Sequence, residues 1–391
     1  MTDGEPGAVP FTPRTDPRLV EDLRSRLRAT RWPDAPEGAG WSLGADVAYL
    51  RELVDYWATD FDWAAQEAAL GRLPHFRVGL GGLGIHVVHA KADNVTRPAM
   101  PLLLNHGWPD SFWRYLKVIP LLTDPGAHGA DPAEAFDVIV PDMPGYGYSD
   151  APSGLPLDSI AVARLWAELM TILGYGRFGT AGGDIGSHVS RYLALDHADR
   201  VVAVHRMDGG LPVFVGDASD LTAEERAWVD GGAAWAATEG AYAAMHRTKP
   251  QTAAFGLTDS PVGLAAWIVE KLRSWSDCDG DLERCFTKDE ILTLVTQQWM
   301  SGNIGAAMRM YHANGSIPRE QLSRRVEVPS GFAVFAGDIL RAPRSWLERT
   351  ANVVRATEPP KGGHFAPFEQ PEAYAYELRE FFRPYRDAVM A

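Results

Sequence analysis

Two cysteines in 391 residues, Cys278 and Cys285, are too few for a disulfide framework or a cysteine-built zinc site. Both stand in a polar stretch, D-C-D-G-D-L-E-R-C-F, and read as free thiols in a reducing compartment, although their spacing leaves a local bridge open. Positive charge is also scarce. Lys and Arg number 37 against 51 Asp and Glu, a net charge of −14, which argues against nucleic acid or an anionic membrane as a partner. There is no run of about 18 apolar residues, so no membrane-spanning helix is expected. The opening residues M-T-D-G-E-P-G-A-V-P-F-T-P have neither the basic part nor the apolar part of a signal peptide. Repeats and low-complexity tracts are missing as well. These absences lead to the expectation of a cytoplasmic globular protein without a membrane anchor. Its length is ample for a sizeable core in one large domain or two.

Residues 1–75 read as a leader. Asp16-Pro17 has the order of a helix N-cap followed by proline, and Leu19, Leu23 and Leu27 recur at helical spacing. A second helix is expected from about Gly44 to Trp57, with Val47, Leu50, Leu53 and Val54 on one face. The dense aromatics here, among them Trp32, Trp41, Trp57 and Trp63, are expected to pack the leader onto the main body. From His75 the pattern alternates. H-F-R-V-G-L and G-I-H-V-V-H-A flank Gly81-Gly82-Leu83-Gly84, a hairpin signal. Short apolar runs at 101–105 and 136–141 suit buried parallel strands. Helices are expected near 111–122, over 158–173 and from about 186 to 198, with a strand at 201–207. This alternation indicates a parallel α/β sheet over 76–214. It fails over 215–325, which reads as helical. It returns over 326–391, with strands at 330–336 and 352–355 and a last helix at 371–383. A helical stretch inserted into an α/β sheet is the layout of a core with a lid.

Inside that core, Gly182-Gly183-Asp184-Ile185-Gly186 has the small-x-nucleophile-x-small spacing of a nucleophile elbow, with Asp where hydrolases usually carry Ser. Flanking glycines let such a strained strand-to-helix turn close. A carboxylate is ionised at neutral pH and attacks without a base. It suits an alkyl carbon, as in an epoxide or a halide, and forms an ester. Taken alone, the same residues also suit a glycine-rich turn with a capping Asp. Other residues weigh against that. His106-Gly107-Trp108-Pro109 follows a buried strand, and its turn can offer the Trp108 N–H to an oxyanion, with the Ile185 N–H as second donor. His106, Trp108, Pro109 and Ile185 are therefore candidates for the pocket. His364, in G-G-H-F-A-P-F-E, follows the last strand, and Asp338 ends the one before it. Strand C-termini line the site in parallel sheets, and nucleophile, acid, histidine is the chain order of α/β-hydrolases. In that arrangement His364 activates water and Asp338 orients it. A departing epoxide oxygen needs a donor, but composition selects none of the twelve tyrosines.

With these motifs in place, the sequence resembles the microsomal-type epoxide hydrolases of the α/β-hydrolase fold, from Phe11 to about Pro384. H-G-W-P, G-G-D-x-G-S and G-G-H-F-A-P-F-E are similar to their core motifs. The most specific likeness is in the lid, where Thr248-Lys249-Pro250-Gln251-Thr252 precedes L-T-D-S-P-V-G-L-A-A-W-I-V-E-K-L-R-S-W. The resemblance implies an α/β-hydrolase core with an inserted helical lid and an N-terminal leader. It implies Asp184 as nucleophile, Asp338 as acid and His364 as base. Tyr242, shortly before the T-K-P-Q-T segment, and Tyr311, in Arg309-Met310-Tyr311, would hold and protonate the epoxide oxygen. The implied reaction converts a small-molecule epoxide to a vicinal diol, in detoxification or natural-product formation, with no metal or organic cofactor. A homodimer is left open.

The sequence also departs from that family. Ile185 stands where Trp is usual, Asp110 where Gly is frequent, and Gln297-Gln298-Trp299 in place of a Tyr-Trp segment. These departures point to an altered substrate. Two rival functions remain. One is a haloalkane or haloacid dehalogenase on the same fold, with Trp108 as a halide donor. The other is a catalytically silent binding protein, against which the intact set of Asp184, Asp338, His364 and two tyrosines argues.

Overall fold

Nine strands form one sheet in the computed structural model, which describes residues 7–93, 98–154, 156–209 and 218–389. They are β1 (Val9–Pro10), β2 (His75–Leu80), β3 (Leu83–Ala90), β4 (Met100–Asn105), β5 (Phe136–Pro141), β6 (Phe178–Gly182), β7 (Val201–Arg206), β8 (Val326–Ala333) and β9 (Ala351–Thr357). Their spatial order is β1-β2-β3-β5-β4-β6-β7-β8-β9. The first three pairings are antiparallel and the remaining five parallel. All residues of β4, β6 and β7 are buried, as expected for strands covered on both faces. The C-terminal ends of β4, β6 and β8 share one edge of the sheet, and the loops that leave it carry the site.

Helices α1 (Pro17–Arg28), α2 (Val47–Thr59) and α3 (Trp63–Leu70) precede β2. Asp16 caps α1 by accepting the Arg18 N–H at 2.9 Å, with Pro17 at the first helical position. Helices α4 (Val118–Thr123), α5 (Ser159–Ile172) and α6 (Ile185–Asp196) lie among the core strands. The helix expected near 111–122 is broken. A 3₁₀ turn at Phe112–Tyr115 precedes α4. Pro120 has no N–H to give to the preceding turn, so the helix restarts where that proline falls in its first turn.

Between β7 and β8 run α7 (Ala223–Thr238), α8 (Ala241–Thr248), α9 (Pro250–Asp259), α10 (Pro261–Trp275), α11 (Lys288–Ser301), α12 (Ile304–Asn314) and α13 (Arg319–Leu322). The expected core–lid boundary at 214/215 lies outside the described residues. Helices α14 (Arg344–Thr350), α15 (Ala366–Glu369) and α16 (Pro371–Phe382) complete the chain order. β8 starts earlier than the expected 330–336, because Val326 and Val328 point inward while Glu327 points out. Its register with β9 shifts between Val326 and Pro329, where proline cannot donate to the ladder.

Helices α1 and α2 bond to helices that run between β7 and β8. Trp57 Nε1 donates to Thr296 Oγ1 at 2.9 Å, Tyr56 Oη to Asp289 Oδ1 at 2.9 Å, and Arg26 Nη1 to Asp259 Oδ1 at 3.1 Å. β1 meanwhile extends the sheet edge beside β2, a two-residue strand too short to leave a periodic signal. Cys278 and Cys285 are both free thiols. Among the described residues no helix is long and apolar enough to cross a membrane.

Candidate active site

β6 ends at Gly182 and α6 starts at Ile185, so Asp184 occupies the sharp turn between them. Its backbone stands at φ 55° and ψ −132°, a conformation that costs a non-glycine residue about 1–3 kcal/mol. Close packing holds it there. A Cβ on Gly186 would lie 2.0 Å from the Asn105 carbonyl oxygen and 2.4 Å from that of His106. Because both obstacles are backbone, Gly186→Ala is expected to destabilise the fold by about 3 kcal/mol. A urea midpoint equal to wild type would contradict this account of the elbow.

The carboxylate of Asp184 is held from two sides. Oδ1 accepts the Trp108 N–H at 2.9 Å, and Oδ2 lies 3.3 Å from His364 Nε2. His364 Nδ1 in turn meets Asp338 Oδ1 at 2.9 Å, and Ile339 N–H donates to that oxygen at 2.7 Å. Ile185 opens α6, so its N–H has no acceptor within the helix. The structure thus brings Asp184, Asp338, His364 and the Trp108 N–H together.

Electrostatics favour an ion pair here. Burial alone raises the Asp184 carboxyl, but the hydrogen bond and charge of His364, the Trp108 N–H and the Arg114 charge outweigh it and lower the group to about 2. Burial works against a charged His364 too. The Asp338 charge and the bond with Asp184 prevail and raise it to about 10.

Tyr242 and Tyr311 come from α8 and α12, and their rings lie 6.0 Å apart at 78°. Trp108, whose N–H holds Asp184, is stacked on Tyr242 at 5.2 Å and stands edge-on to Tyr311 at 6.1 Å. Both phenols are pushed up, by burial first; the Asp184 charge adds to that. They therefore stay protonated near neutral pH and can donate.

His106 is fixed by backbone partners on both ring nitrogens. Its side chain is fully buried, Nε2 accepts the Met143 N–H at 3.0 Å, and Nδ1 faces the Gly107 carbonyl at 3.0 Å. With both nitrogens committed to backbone, the ring braces the loop. Pro109 follows a cis peptide, and its carbonyl accepts from Gln298 Nε2 of α11 at 2.6 Å. Among the described residues no cluster of His, Cys, Asp or Glu is arranged to hold a metal ion.

The sequence matches the family description "Epoxide hydrolase N terminus" over residues 8–115 and "alpha/beta hydrolase fold" over residues 100–247. A protein of Stigmatella aurantiaca named "Putative epoxide hydrolase" is 39% identical over 384 residues, covering 97% of this chain and 86% of that protein. Epoxide hydrolase 1 of Sus scrofa is 34% identical over 403 residues, 95% of this chain and 88% of its own. The chain belongs to the epoxide hydrolase family. Its structure is similar to that of juvenile hormone epoxide hydrolase from the silkworm Bombyx mori, with a TM-score of 0.89 and 27% identity over 98% of this chain and 96% of that one.

The departures of this epoxide hydrolase have structural partners. Asp110 is buried, accepts the Gly107 N–H at 3.0 Å and pairs with Arg114 Nε at 2.6 Å. Arg114 Nη1 reaches across to the His364 carbonyl at 2.9 Å, so the extra carboxylate ties the Trp108 loop to the loop that carries His364. Gln297 accepts from Ser111 Oγ at 2.6 Å, which with Gln298 fastens α11 to the same loop. Ile185 is buried and part of the core cluster.

Two side chains of the epoxide hydrolase site escaped the sequence reading. Asp208, just past β7, accepts the Asp184 N–H at 2.8 Å and so steadies the strained turn. Its position at the end of a parallel strand next to β6 was the available signal. His246 lies one helical turn after Tyr242. It is fully buried and makes ring contacts with Trp108, Tyr242 and Tyr311 at 5.0, 5.4 and 4.9 Å. The indole of Trp267 only donates, so His246 Nε2, 3.1 Å away, must be the acceptor.

Proposed function

We propose that this epoxide hydrolase converts a small-molecule epoxide to a vicinal diol through an ester on Asp184. The observation that carries the reading is the position of the Asp184 carboxylate, with Oδ1 on the Trp108 N–H and Oδ2 toward His364. Oδ2 attacks an oxirane carbon and the C–O bond of the ring breaks. Tyr242 and Tyr311 donate to the departing oxygen, and one of them gives it a proton. Oδ1 remains the carbonyl oxygen of the ester. His364 hands the proton it carries to the phenolate and then takes one from water, and the hydroxide adds to the Asp184 carboxyl carbon. Charge develops on Oδ1, where the Trp108 and Ile185 N–H groups are the donors. Collapse of this intermediate expels the diol as its alkoxide, which takes the proton of the new carboxyl group, and Asp184 returns to a carboxylate beside the protonated His364. Asp338 stabilises the imidazolium in between. Two buried phenols beside the nucleophile suit an oxygen leaving group better than a halide, which disfavours the dehalogenase alternative. The division into leader, core and lid, and cytoplasmic residence, belong to the same reading; the net charge of −14 supports a partner that is a small molecule and not nucleic acid.

Single turnover in water labelled with heavy oxygen tests this. The first diol released is expected to carry no label, because its new oxygen comes from Asp184. The label enters the Asp184 carboxylate, and later diols acquire it. Full labelling of the first diol would mean that water attacks the epoxide directly, and the ester route would fall.

A further inference from the structure

The loop that carries His364 hangs from the lid. The backbone N–H of His364 donates to the carbonyl of Trp275, the last residue of α10, at 2.8 Å. Gly362 N–H donates to Asp277 Oδ2 at 2.9 Å. Glu369, at the end of α15, completes the joint. Its Oε2 accepts the Asp277 N–H at 2.9 Å and the Gly363 N–H at 3.1 Å, with Cys285 Sγ at 3.8 Å. Its Oε1 accepts the Phe365 N–H at 3.0 Å. One carboxylate therefore holds the peptide on each side of His364 and the chain just past α10. Every partner is a donor, and both oxygens are used as acceptors. The joint is also tight, since a Cβ on Gly363 would come within 2.5 Å of the Trp275 carbonyl oxygen.

We propose that Glu369 is a positioning residue for ester hydrolysis: it clasps the base loop to the end of lid helix α10 and thereby sets where the His364 imidazole stands against the Asp184 ester. The proposal rests on the reading of His364 as the base. Attack by Asp184 on the epoxide needs no base, so loss of the clasp acts on the second step alone. In a two-step reaction of this kind, slowing the second step lowers kcat and KM together and lets the ester build up.

The test is Glu369→Gln assayed with styrene oxide. The amide keeps the size of the side chain but turns an NH₂ toward a backbone N–H. Expected results are a kcat lower by about tenfold to a hundredfold, as for a displaced catalytic group, a KM lower in parallel, and an alkyl-enzyme adduct detectable by mass spectrometry in the steady state. A fall in kcat with KM unchanged or raised, and no adduct, would overturn the proposal, as would wild-type kinetics. If Glu369→Gln does not fold, Glu369→Asp takes its place, since it keeps the charge but withdraws it from Asp277 and Gly363. His364→Gln serves as the control. If that variant builds up no ester, the reading of His364 as base fails; if it does and the Glu369 variants do not, only the clasp fails.

Discussion

Asp184→Asn is expected to lower epoxide turnover by about four orders of magnitude or more, on the scale seen when a nucleophile is removed. The substitution keeps the shape of the side chain. Its amide oxygen still accepts the Trp108 N–H that now holds Oδ1 at 2.9 Å. The other position becomes an NH₂ group, which has no lone pair to offer an oxirane carbon. Steady-state diol formation measures the loss, and turnover near the wild-type rate would exclude Asp184 as nucleophile. Stability should change with it. Asp184 is held at about 2 in the folded protein, below the ordinary carboxylate value of about 3.9. A depressed carboxyl contributes stability above its unfolded value, and that contribution is lost as pH falls through the folded value. The wild type should therefore lose stability between about pH 4 and pH 2 more steeply than the Asn variant.

Much of this molecule was legible in its sequence, for physical reasons that differ from part to part. Strands β4 and β5 are short, largely apolar runs bounded by turn residues, and that signal survives without any knowledge of neighbours. The Gly182 to Gly186 spacing was legible because backbone packing, not side-chain chemistry, demands the glycines. What stayed hidden depends on which face a residue turns. His106 belongs to a motif that borders the site, and its ring is held between the Met143 N–H and the Gly107 carbonyl, partners that no spacing foretells. Asp208 accepts one backbone N–H and Glu369 three, and sequence patterns do not register such bonds. The bond between α2 and α11 was equally invisible, since Trp57 and Thr296 are brought together only by the fold. Tyr242 and Tyr311 needed a resemblance to be singled out, because two phenols on different helices have no spacing of their own.

The charges around His364 also assign an order to the chemistry. Before reaction the imidazole is raised to about 10, so it is protonated at neutral pH and is no base. Two carboxylates keep it so. In the proposed reaction, attack on the epoxide turns Asp184 into a neutral ester and removes one of them. Burial, which disfavours the imidazolium, then weighs more heavily, and the pKa of His364 falls toward the range where it can take a proton from water. The first step thus prepares the base for the second. Only Asp338 remains to stabilise the imidazolium that forms.

His364→Gln follows from that order, and it should stop the enzyme after the first step. Ester formation draws on Asp184 and the two tyrosines, so the variant should still consume about one equivalent of epoxide per active site. Hydrolysis loses its base, and steady-state turnover is expected to fall by about a thousandfold or more. Rapid-quench mass spectrometry should find the protein heavier by the mass of one epoxide, with the adduct on the peptide that contains Asp184. The ion pair gives a second signature. A histidine raised by its partners contributes stability that is complete below its unfolded value of about 6.5 and disappears as pH rises through the folded value near 10. The Gln variant should lack that decline, so its stability would change less than the wild type's between pH 6.5 and 10. Sustained turnover without adduct would show that another group activates the water, and the assignment of His364 would have to be abandoned.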